Sequence, residues 1–215
     1  MLSIKLGNKS DLIWAQEIVS LYHYLHSPVD NRARPMVYVI SWFQKPVGLV
    51  MVGSPHATKC RGWWGYPGLI TQWQVVDLNR IWLDPALQFG GKLAKPGVVP
   101  GFTDRKGVFR PTVLSWVIEQ ILTRVQKDRV SMWPPVYLNQ PYHIRLVISY
   151  HDPQYHKGSI YRVTGAEPMY HNHGVPIPGP SGKYGWCYPL PEPSWTWEDI
   201  PIRQPRTIRM ALELS

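Results

Sequence analysis

Residues 143–162 read HIRLVISYHDPQYHKGSIYR and join a β-rich run to a compact polar segment. The branched aliphatic residues of 143–149 predict a buried strand. The segment 150–165 opens with the turn signal Asp152-Pro153 and contains a short helix candidate. Tyr150 would then lie where the carboxyl end of a splayed strand faces a ligand.

The elements around this stretch predict a mixed α/β sheet. Residues 2–6 alternate like a short strand, and Asn8, Ser10 and Asp11 offer helix N-cap chemistry before a periodic segment at 12–24. Runs 36–42 and 47–53, joined by Phe43-Gln44-Lys45-Pro46, predict an antiparallel hairpin, and 74–83 predicts a third strand. A long loop at 86–109, a helix at 111–127 and a final strand at 206–214 complete the order. We therefore expect helices on both faces of the sheet.

Apolar periodicity predicts which face each helix buries. The first helix would bury Ile13, Ala15, Ile18, Val19, Leu21 and Tyr22. The second would bury Leu114, Val117, Ile118, Ile121 and Val125, with Ser115 off that stripe. The 215 residues fit one domain, with a core at 1–165 and a Pro- and aromatic-rich extension at 166–215.

Composition limits the protein's surroundings and partners. The formal net charge is +9, which favours polyanions such as nucleic acid, although mere solubility is an equally good reason for a basic surface. Cys60 and Cys187 are far apart and show no metal-binding spacing, as expected in a reducing compartment. The N-terminus lacks a signal peptide pattern, and no apolar run of membrane-spanning length occurs. We expect a cytoplasmic protein without membrane contact.

Four blocks of sequence carry a family resemblance. They are HYLHSP at 23–28, LNRIWLDP at 78–85, Ser115, and SYHD at 149–152 with HKGSIYR at 156–162. Together they resemble the phage Mom family of DNA-modifying proteins, which is itself a divergent group with the GCN5-related acyltransferase (GNAT) fold. The resemblance covers most of residues 23–162, and the last block is the most specific.

This resemblance implies transfer of a small acyl-derived group to the exocyclic amine of adenine in double-stranded DNA. It implies an acyl-CoA or a related acyl donor as cofactor. The implied catalytic residues are His23, Tyr24, Ser115, Tyr150 and Asp152. His23, Tyr24 and Tyr150 would also be the ligands of a metal, and imidazole and phenol oxygen would suit iron.

The cofactor's phosphates need a cationic or N–H-rich cradle. The N-terminus of the helix predicted at 111–127 offers free N–H groups, with Arg105, Lys106 and Arg110 upstream. We assign cofactor binding to Arg110, Thr112, Ser115 and Tyr161. The usual GNAT phosphate loop is missing, and Gln88-Phe89-Gly90-Gly91-Lys92 only loosely resembles it.

The Gly- and Trp-rich loop at 59–72 mixes cations with rings. Lys59 and Arg61 suit phosphate contacts, and Trp63 and Trp64 suit stacking on an extruded base. An aromatic cluster covering the sheet edge is an equally good interpretation. Arg105 and Lys106 are further candidates for DNA contact.

Structural roles compete with several of these assignments. Tyr150 could cap the core, Asp152 could start a turn, and Ser115 could sit on the polar side of its helix. Arg80 lies in an apolar strand, where it could pair with Asp77 or Asp84 or contact substrate phosphate, and we favour the ion pair.

Two other functions remain open at this stage. One is an ordinary acyl-CoA-dependent N-acyltransferase, and the other is a non-catalytic DNA-binding protein whose pocket is filled by Trp side chains. A homodimer is among the oligomeric states left open.

Overall fold

The computed structural model describes residues 1–30, 35–55, 74–132, 143–179 and 181–194. The helices are α1 (Lys9–Tyr22), α2 (Val113–Met132) and α3 (Ser159–Val163). The strands are β1 (Leu2–Leu6), β2 (Met36–Trp42), β3 (Lys45–Gly53), β4 (Val75–Leu83), β5 (Gly101–Thr103), β6 (Phe109–Pro111), β7 (Leu146–His151), β8 (Glu167–Pro168), β9 (His171–Asn172), β10 (Val175–Pro176) and β11 (Tyr184–Pro189).

One mixed sheet of seven strands organises the described chain, in the order β1-β2-β3-β4-β7-β11-β8. Neighbouring strands are antiparallel except for β4 and β7, which run parallel. The predicted β2–β3 hairpin is confirmed, and its turn is the pair Phe43-Gln44, both at positive φ. The mixed α/β sheet that the element order predicts is therefore present.

Helices cover both faces of this sheet, as expected. Ala15 and Val19 of α1 pack with Val37 and Val39 on one face. The alternate residues of β2, Met36, Tyr38 and Ile40, face the other side and share a core with α2. The described helices include none long and apolar enough to cross a membrane.

The buried stripe of α1 is narrower than predicted. Ile13 is 55% exposed, and Leu21 and Tyr22 are 64% and 62% exposed, so their assignment to the core is wrong. The helix begins earlier than predicted because Asn8 and Asp11 form a reciprocal capping box. A single helix lying on a sheet buries only the residues directly beneath it, here Ala15 and Val19.

The connection between β4 and α2 is more ordered than the loop predicted at 86–109. It contains a 3-10 turn, Pro85–Leu87, and the β5–β6 hairpin. Pro111 ends β6 and does not open the helix, so that prediction is wrong. The N–H of Thr112 donates to the Pro100 carbonyl, and α2 begins one residue later.

Strand β7 continues beyond its predicted end at Ser149 and includes Tyr150 and His151. The reason is an unpredicted strand, β11, which pairs antiparallel with all six residues of β7, from Leu146 to His151. A segment of the C-terminal extension therefore lies inside the central sheet. The strand predicted at 206–214 lies outside the described residues.

Candidate active site between strands β4 and β7

A β-bulge opens the sheet between β4 and β7. Leu78 and Arg80 of β4 pair with consecutive residues of β3, so Asn79 between them has no partner there. The parallel ladder to β7 ends at Asp77 opposite Ile148. An extra residue bends and twists its strand, and bulges are enriched beside active sites for this reason. Beyond Asp77, the backbone of β4 no longer pairs with β7.

A cavity of about 500 Å³ occupies this opening. Its walls are the end of α1, the bulged part of β4, the start of α2, Tyr150 of β7 and the segment that leads into α3. The lining residues are Tyr22, His23, Tyr24, Leu78, Asn79, Arg80, Ile81, Trp82, Leu114, Tyr150, Tyr155, His156, Lys157, Gly158, Ser159, Ile160 and Tyr161. The fold thus brings His23, Tyr24, Tyr150 and Tyr161 to one space, and their catalytic and cofactor-binding roles stay predictions.

The β4 wall holds polar atoms without protein partners. Arg80 donates from Nη1 to the Asn79 carbonyl at 2.7 Å and from Nη2 to Ser27 Oγ at 3.3 Å. Its Nε and the Oδ1 of Asn79 are buried and have no hydrogen-bond partner within the described part of the chain. Buried polar groups are nearly always hydrogen-bonded, so these two atoms point to a ligand.

Arg80 does not form the ion pair that the sequence favoured, as far as the described residues show. Asp84 accepts from the N–H of Ala86 instead and caps the 3-10 turn. Asp77 is buried, and burial raises its pKa to about 7, against smaller lowering effects from Arg80 and Asn79. The guanidinium therefore remains available to the cavity.

The histidines near the cavity are held neutral with their proton on Nε2. His23 Nδ1 accepts from the Leu25 N–H at 3.2 Å, and His156 Nδ1 accepts from the Gly158 N–H at 3.3 Å. Burial, with a smaller contribution from Arg80, lowers the pKa of His23 to about 4, and burial also lowers the pKa of His156. Each ring thus has Nε2–H as a hydrogen-bond donor.

Three rings form a continuous stack along one wall. The centroids of His23 and Tyr24 are 4.4 Å apart, and those of Tyr24 and Tyr155 are 4.5 Å apart. Tyr155 is 57% exposed, so its outer region is open to a ligand. Sequence analysis missed Tyr155, although it lies inside the most specific block, between Asp152 and His156. The stack suits a planar aromatic group.

Below the cavity, side chains connect β7 to β4 where their ladder has ended. Ser149 Oγ donates to the Leu78 carbonyl at 3.3 Å and lies 3.0 Å from the hydroxyl of Tyr161. Tyr161 is 4% exposed, and burial raises its pKa. Its hydroxyl therefore stabilises the opened strands from within.

Asp152 lies outside the cavity lining and acts on the loop that follows β7. Its Oδ1 accepts from the Gln154 N–H, and its carbonyl accepts from the N–H groups of Tyr155 and His156. The structure thus supports the turn-starting alternative for Asp152. Through this turn it positions the two aromatic residues of the cavity wall.

The side chains of the predicted phosphate cradle do not line the cavity, although the start of α2 does. Arg110 Nε donates to Asp104 Oδ2 at 2.9 Å, and its guanidinium lies 4.6 Å from the centroid of Phe89. Ser115 and Thr112 are half-buried and do not line the cavity, whereas their neighbour Leu114 does. The hairpin and the Pro100 contact redirect this region away from the predicted arrangement.

The residues predicted to bind DNA fall into two groups. Arg105 and Lys106 lie exposed at the tip of the β5–β6 hairpin. Lys59, Arg61, Trp63 and Trp64 lie outside the described residues.

The predicted iron site finds no support. His23, Tyr24 and Tyr150 share the cavity, but His23 uses Nδ1 to accept from Leu25, which leaves the proton on Nε2 and no free lone pair for a metal. Among the described residues, no three His, Cys, Asp or Glu side chains form a metal-binding group.

The perturbed histidines predict how stability depends on pH. The pKa values of His23 and His151 are both lowered to about 4, chiefly by burial, from an ordinary 6.5. The stability that these two neutral histidines contribute to the folded state is fully present above pH 6.5. It is lost as the pH falls from there through about 4. The pKa of Asp77 is raised from 3.8 to about 7, so this carboxyl has the opposite effect and makes the folded state more stable as the pH falls over that range.

Chemical denaturation between pH 6.5 and 4.5 tests this assignment. The variant His151→Gln should reduce the slope of unfolding free energy against pH by about 1.4 kcal/mol per pH unit, the value for one proton. Its amide oxygen can still accept from Trp186 Nε1, which donates to His151 Nδ1 at 2.7 Å. His173→Asn, in an exposed loop, is the control. Equal slopes in wild type and His151→Gln would contradict the assignment.

No family model matches this chain, and no curated protein matches it. Solved structures similar to it include the ribosomal-protein-S18-alanine N-acetyltransferase from Escherichia coli, at 12% identity over 91% of this chain and 100% of that one, with a TM-score of 0.48. An N-acetyltransferase from Staphylococcus aureus Mu50 has 10% identity over 89% and 99%, with a TM-score of 0.49.

The yncA protein of Salmonella typhimurium, solved with its cofactor acetyl-CoA, has 11% identity over 90% and 96%, with a TM-score of 0.47. At such values nothing about donor or acceptor follows, and the Mom resemblance stays a prediction. The described topology itself, a mixed sheet opened between two parallel strands with helices on both faces, is the fold class that the sequence predicted.

Proposed function

We propose that this protein transfers an acyl-type group to an amine in the cavity between β4 and β7. The observation that carries the proposal is the combination of the bulge-opened sheet with unpartnered buried polar atoms of Arg80 and Asn79 in the cavity wall. A donor N–H beside an acceptor oxygen on a freed strand edge is suited to a carbonyl- and amide-containing ligand.

An acyl-CoA or related donor would supply an activated carbonyl carbon. Arg80 and Asn79 would hold it through their unpartnered atoms. The neutral imidazole of His23 and the guanidinium of Arg80 donate hydrogen bonds to the acyl oxygen as it gains negative charge. The Tyr150 hydroxyl gives its proton to the departing sulfur, and the proton lost by the amine restores the phenol through water.

The acceptor that we favour is the exocyclic amine of adenine in duplex DNA. Three properties support it: the stacked His23, Tyr24 and Tyr155 wall, a cavity of about 500 Å³, and a net charge of +9. A planar base must leave the duplex to react, and enzymes of this kind hold the extruded base by stacking. The Mom resemblance points to the same acceptor.

The two alternative functions differ in what they require of the cavity. A non-catalytic DNA-binding protein would have the space filled by Trp side chains, and in the described residues Trp82 lines the cavity without closing it. An ordinary N-acyltransferase would use the same cavity for a small or peptidyl amine, so only the acceptor separates it from the favoured function.

Mass spectrometry of nucleosides tests the proposal. DNA is isolated from cells that express the wild type or Tyr150→Phe, and the purified proteins are incubated with acetyl-CoA and a panel of polyamines and peptides. A new adenine adduct that depends on Tyr150 supports DNA modification. Acylated polyamine or peptide without an adduct supports the ordinary N-acyltransferase. Absence of both products contradicts an enzymatic role.

Tyr155 provides a test of base stacking. Because stacking of a base on an aromatic ring contributes about 1–3 kcal/mol, Tyr155→Ala should raise the KM for an adenine-containing acceptor roughly 5- to 150-fold. Tyr155→Phe keeps the ring and should behave like the wild type. Steady-state kinetics on the acceptor identified above gives both values. Equal KM values for the Ala and Phe variants would show that the ring does not bind the acceptor.

A further inference from the structure

The segment between β4 and α2, residues 84–112, leaves the sheet beside the cavity and returns beside it. It starts after Leu83, next to the lining residue Trp82, and ends before Val113, next to the lining residue Leu114. We call it the β4–α2 excursion. Both ends of the excursion are therefore fixed beside the cavity.

The β5–β6 hairpin gives the excursion a fixed inner face. Phe109 packs against the main core and covers Gly101, where an added Cβ would lie 2.4 Å from the ring. At the turn, Asp104 accepts from the N–H groups of Lys106 and Val108 and from Arg110 Nε. The Asp104 contacts fix the shape of the turn, and Phe109 anchors the hairpin to the core.

The outer face of the hairpin exposes aromatic rings around a cation. Phe102 lies directly opposite Arg110 in the β5–β6 ladder, so both side chains are on the same face. The guanidinium of Arg110 lies over Phe89, 4.6 Å from the centroid. Phe89 and Phe102 are 60% and 57% exposed. A cluster of exposed large rings at a rigid position marks an interaction surface.

The charge on the excursion is mainly positive. It carries four exposed cations, Lys92, Lys95, Arg105 and Lys106. Its acidic residues, Asp84 and Asp104, already have partners: Asp84 accepts from the Ala86 N–H, and Asp104 accepts from Arg110 and the turn N–H groups. The surface is therefore complementary to a polyanion that also presents flat apolar groups.

We propose that the β4–α2 excursion binds the nucleic-acid duplex from which the acceptor base is taken, with Arg105 and Lys106 on phosphates and Phe89 and Phe102 against exposed bases. The inference rests on the proposed function, because only an extruded acceptor base uncovers the faces of its neighbours. Rings alternating with cations bind bases and backbone together in this way. The excursion starts and ends beside the cavity in which the acceptor base would react, which favours DNA over an anionic membrane.

Salt-dependent binding of a fluorescent duplex tests the assignment. Each cation on a phosphate contributes about 0.9 to the slope of log affinity against log salt, so Arg105→Ala with Lys106→Ala should lower its magnitude by about 1.8. The matched control is Lys9→Ala with Lys127→Ala, which removes the same charge from exposed positions on α1 and α2. Lys127 lies about 20 Å along α2 from its start at the cavity. Phe102→Ala should weaken binding while the slope stays unchanged.

The outcomes separate this inference from the proposed function. If the excursion and control variants change the slope of log affinity against log salt equally, the inference is overturned. The duplex would then respond to the net charge of the protein and not to these two cations. Binding to phosphatidylserine vesicles that requires Phe102, without duplex binding, would also overturn it. The excursion variants could lose duplex binding as expected while the wild type makes no adenine adduct. That result would support the excursion as a duplex-binding surface and contradict the proposed function.

Discussion

Tyr150→Phe is expected to lower the rate of acyl transfer roughly 100- to 10,000-fold, the range for loss of a positioned proton donor. Tyr150 lines the cavity from β7 at the place where β4 has turned away. The substitution removes one oxygen atom and keeps the ring, which packs against the buried cluster of Val75, Leu146, Ile148 and Cys187. We expect the free energy of unfolding to change by at most about 1 kcal/mol.

The matched control is Tyr184→Phe. Tyr184 lies opposite His151 on the neighbouring strand β11 and does not line the cavity. Single-turnover kinetics on the identified acceptor, together with thermal unfolding, distinguishes the two variants. A Tyr150→Phe protein that retains more than about a tenth of the wild-type rate would remove the hydroxyl from the mechanism.

Gly158→Ala is expected to destabilise the protein by roughly 2–5 kcal/mol and to distort the cavity. Gly158 has φ +64, where a side chain costs about 1–2 kcal/mol. An added Cβ would also lie 2.2 Å from a carbon of the His151 ring. That ring is 3% exposed, accepts from Trp186 and stacks on Tyr184, so its displacement should cost a further 1–3 kcal/mol, roughly the penalty of overpacking.

Gly165→Ala separates the two contributions. Gly165 has a similar φ of +79, but an added Cβ there meets nothing within 4 Å. It should therefore show only the backbone cost. Urea unfolding of both variants measures the difference, which we assign to the His151 contact. Equal destabilisation of the two variants would mean that His151 moves aside freely and does not constrain the loop.

Short-range patterns were enough to predict most of the framework. Alternation identified β1 and the β2–β3 hairpin, and the apolar repeat identified α2 through Val117, Ile121 and Val125. These patterns show which side of a helix or strand is apolar, and the apolar side is the one that packs into the core. They failed on α1, where Ile13 and Leu21 are exposed. The width of the buried side of this helix depends on how much of it the sheet covers, and the helix's own sequence does not contain that information.

The candidate site was predictable only in part. The blocks of family resemblance indicated His23, Tyr24 and Tyr150, and the structure brings them to one cavity. Tyr155 was missed because a Tyr in a polar turn has no pattern of its own. Its stacking on Tyr24 depends on how Asp152 folds the loop after β7.

The sequence by itself determined the order of the elements from β1 to β4 and of α2 and β7, the mixed sheet and the positive charge, since each follows from local periodicity or composition. Only the tertiary structure decided where β4 bulges, at Asn79, and that Arg110 pairs with Asp104 and covers Phe89. The first depends on the register between strands, and the second depends on the path of a long connection. Both are settled by competition among contacts between elements, which no single stretch of sequence encodes.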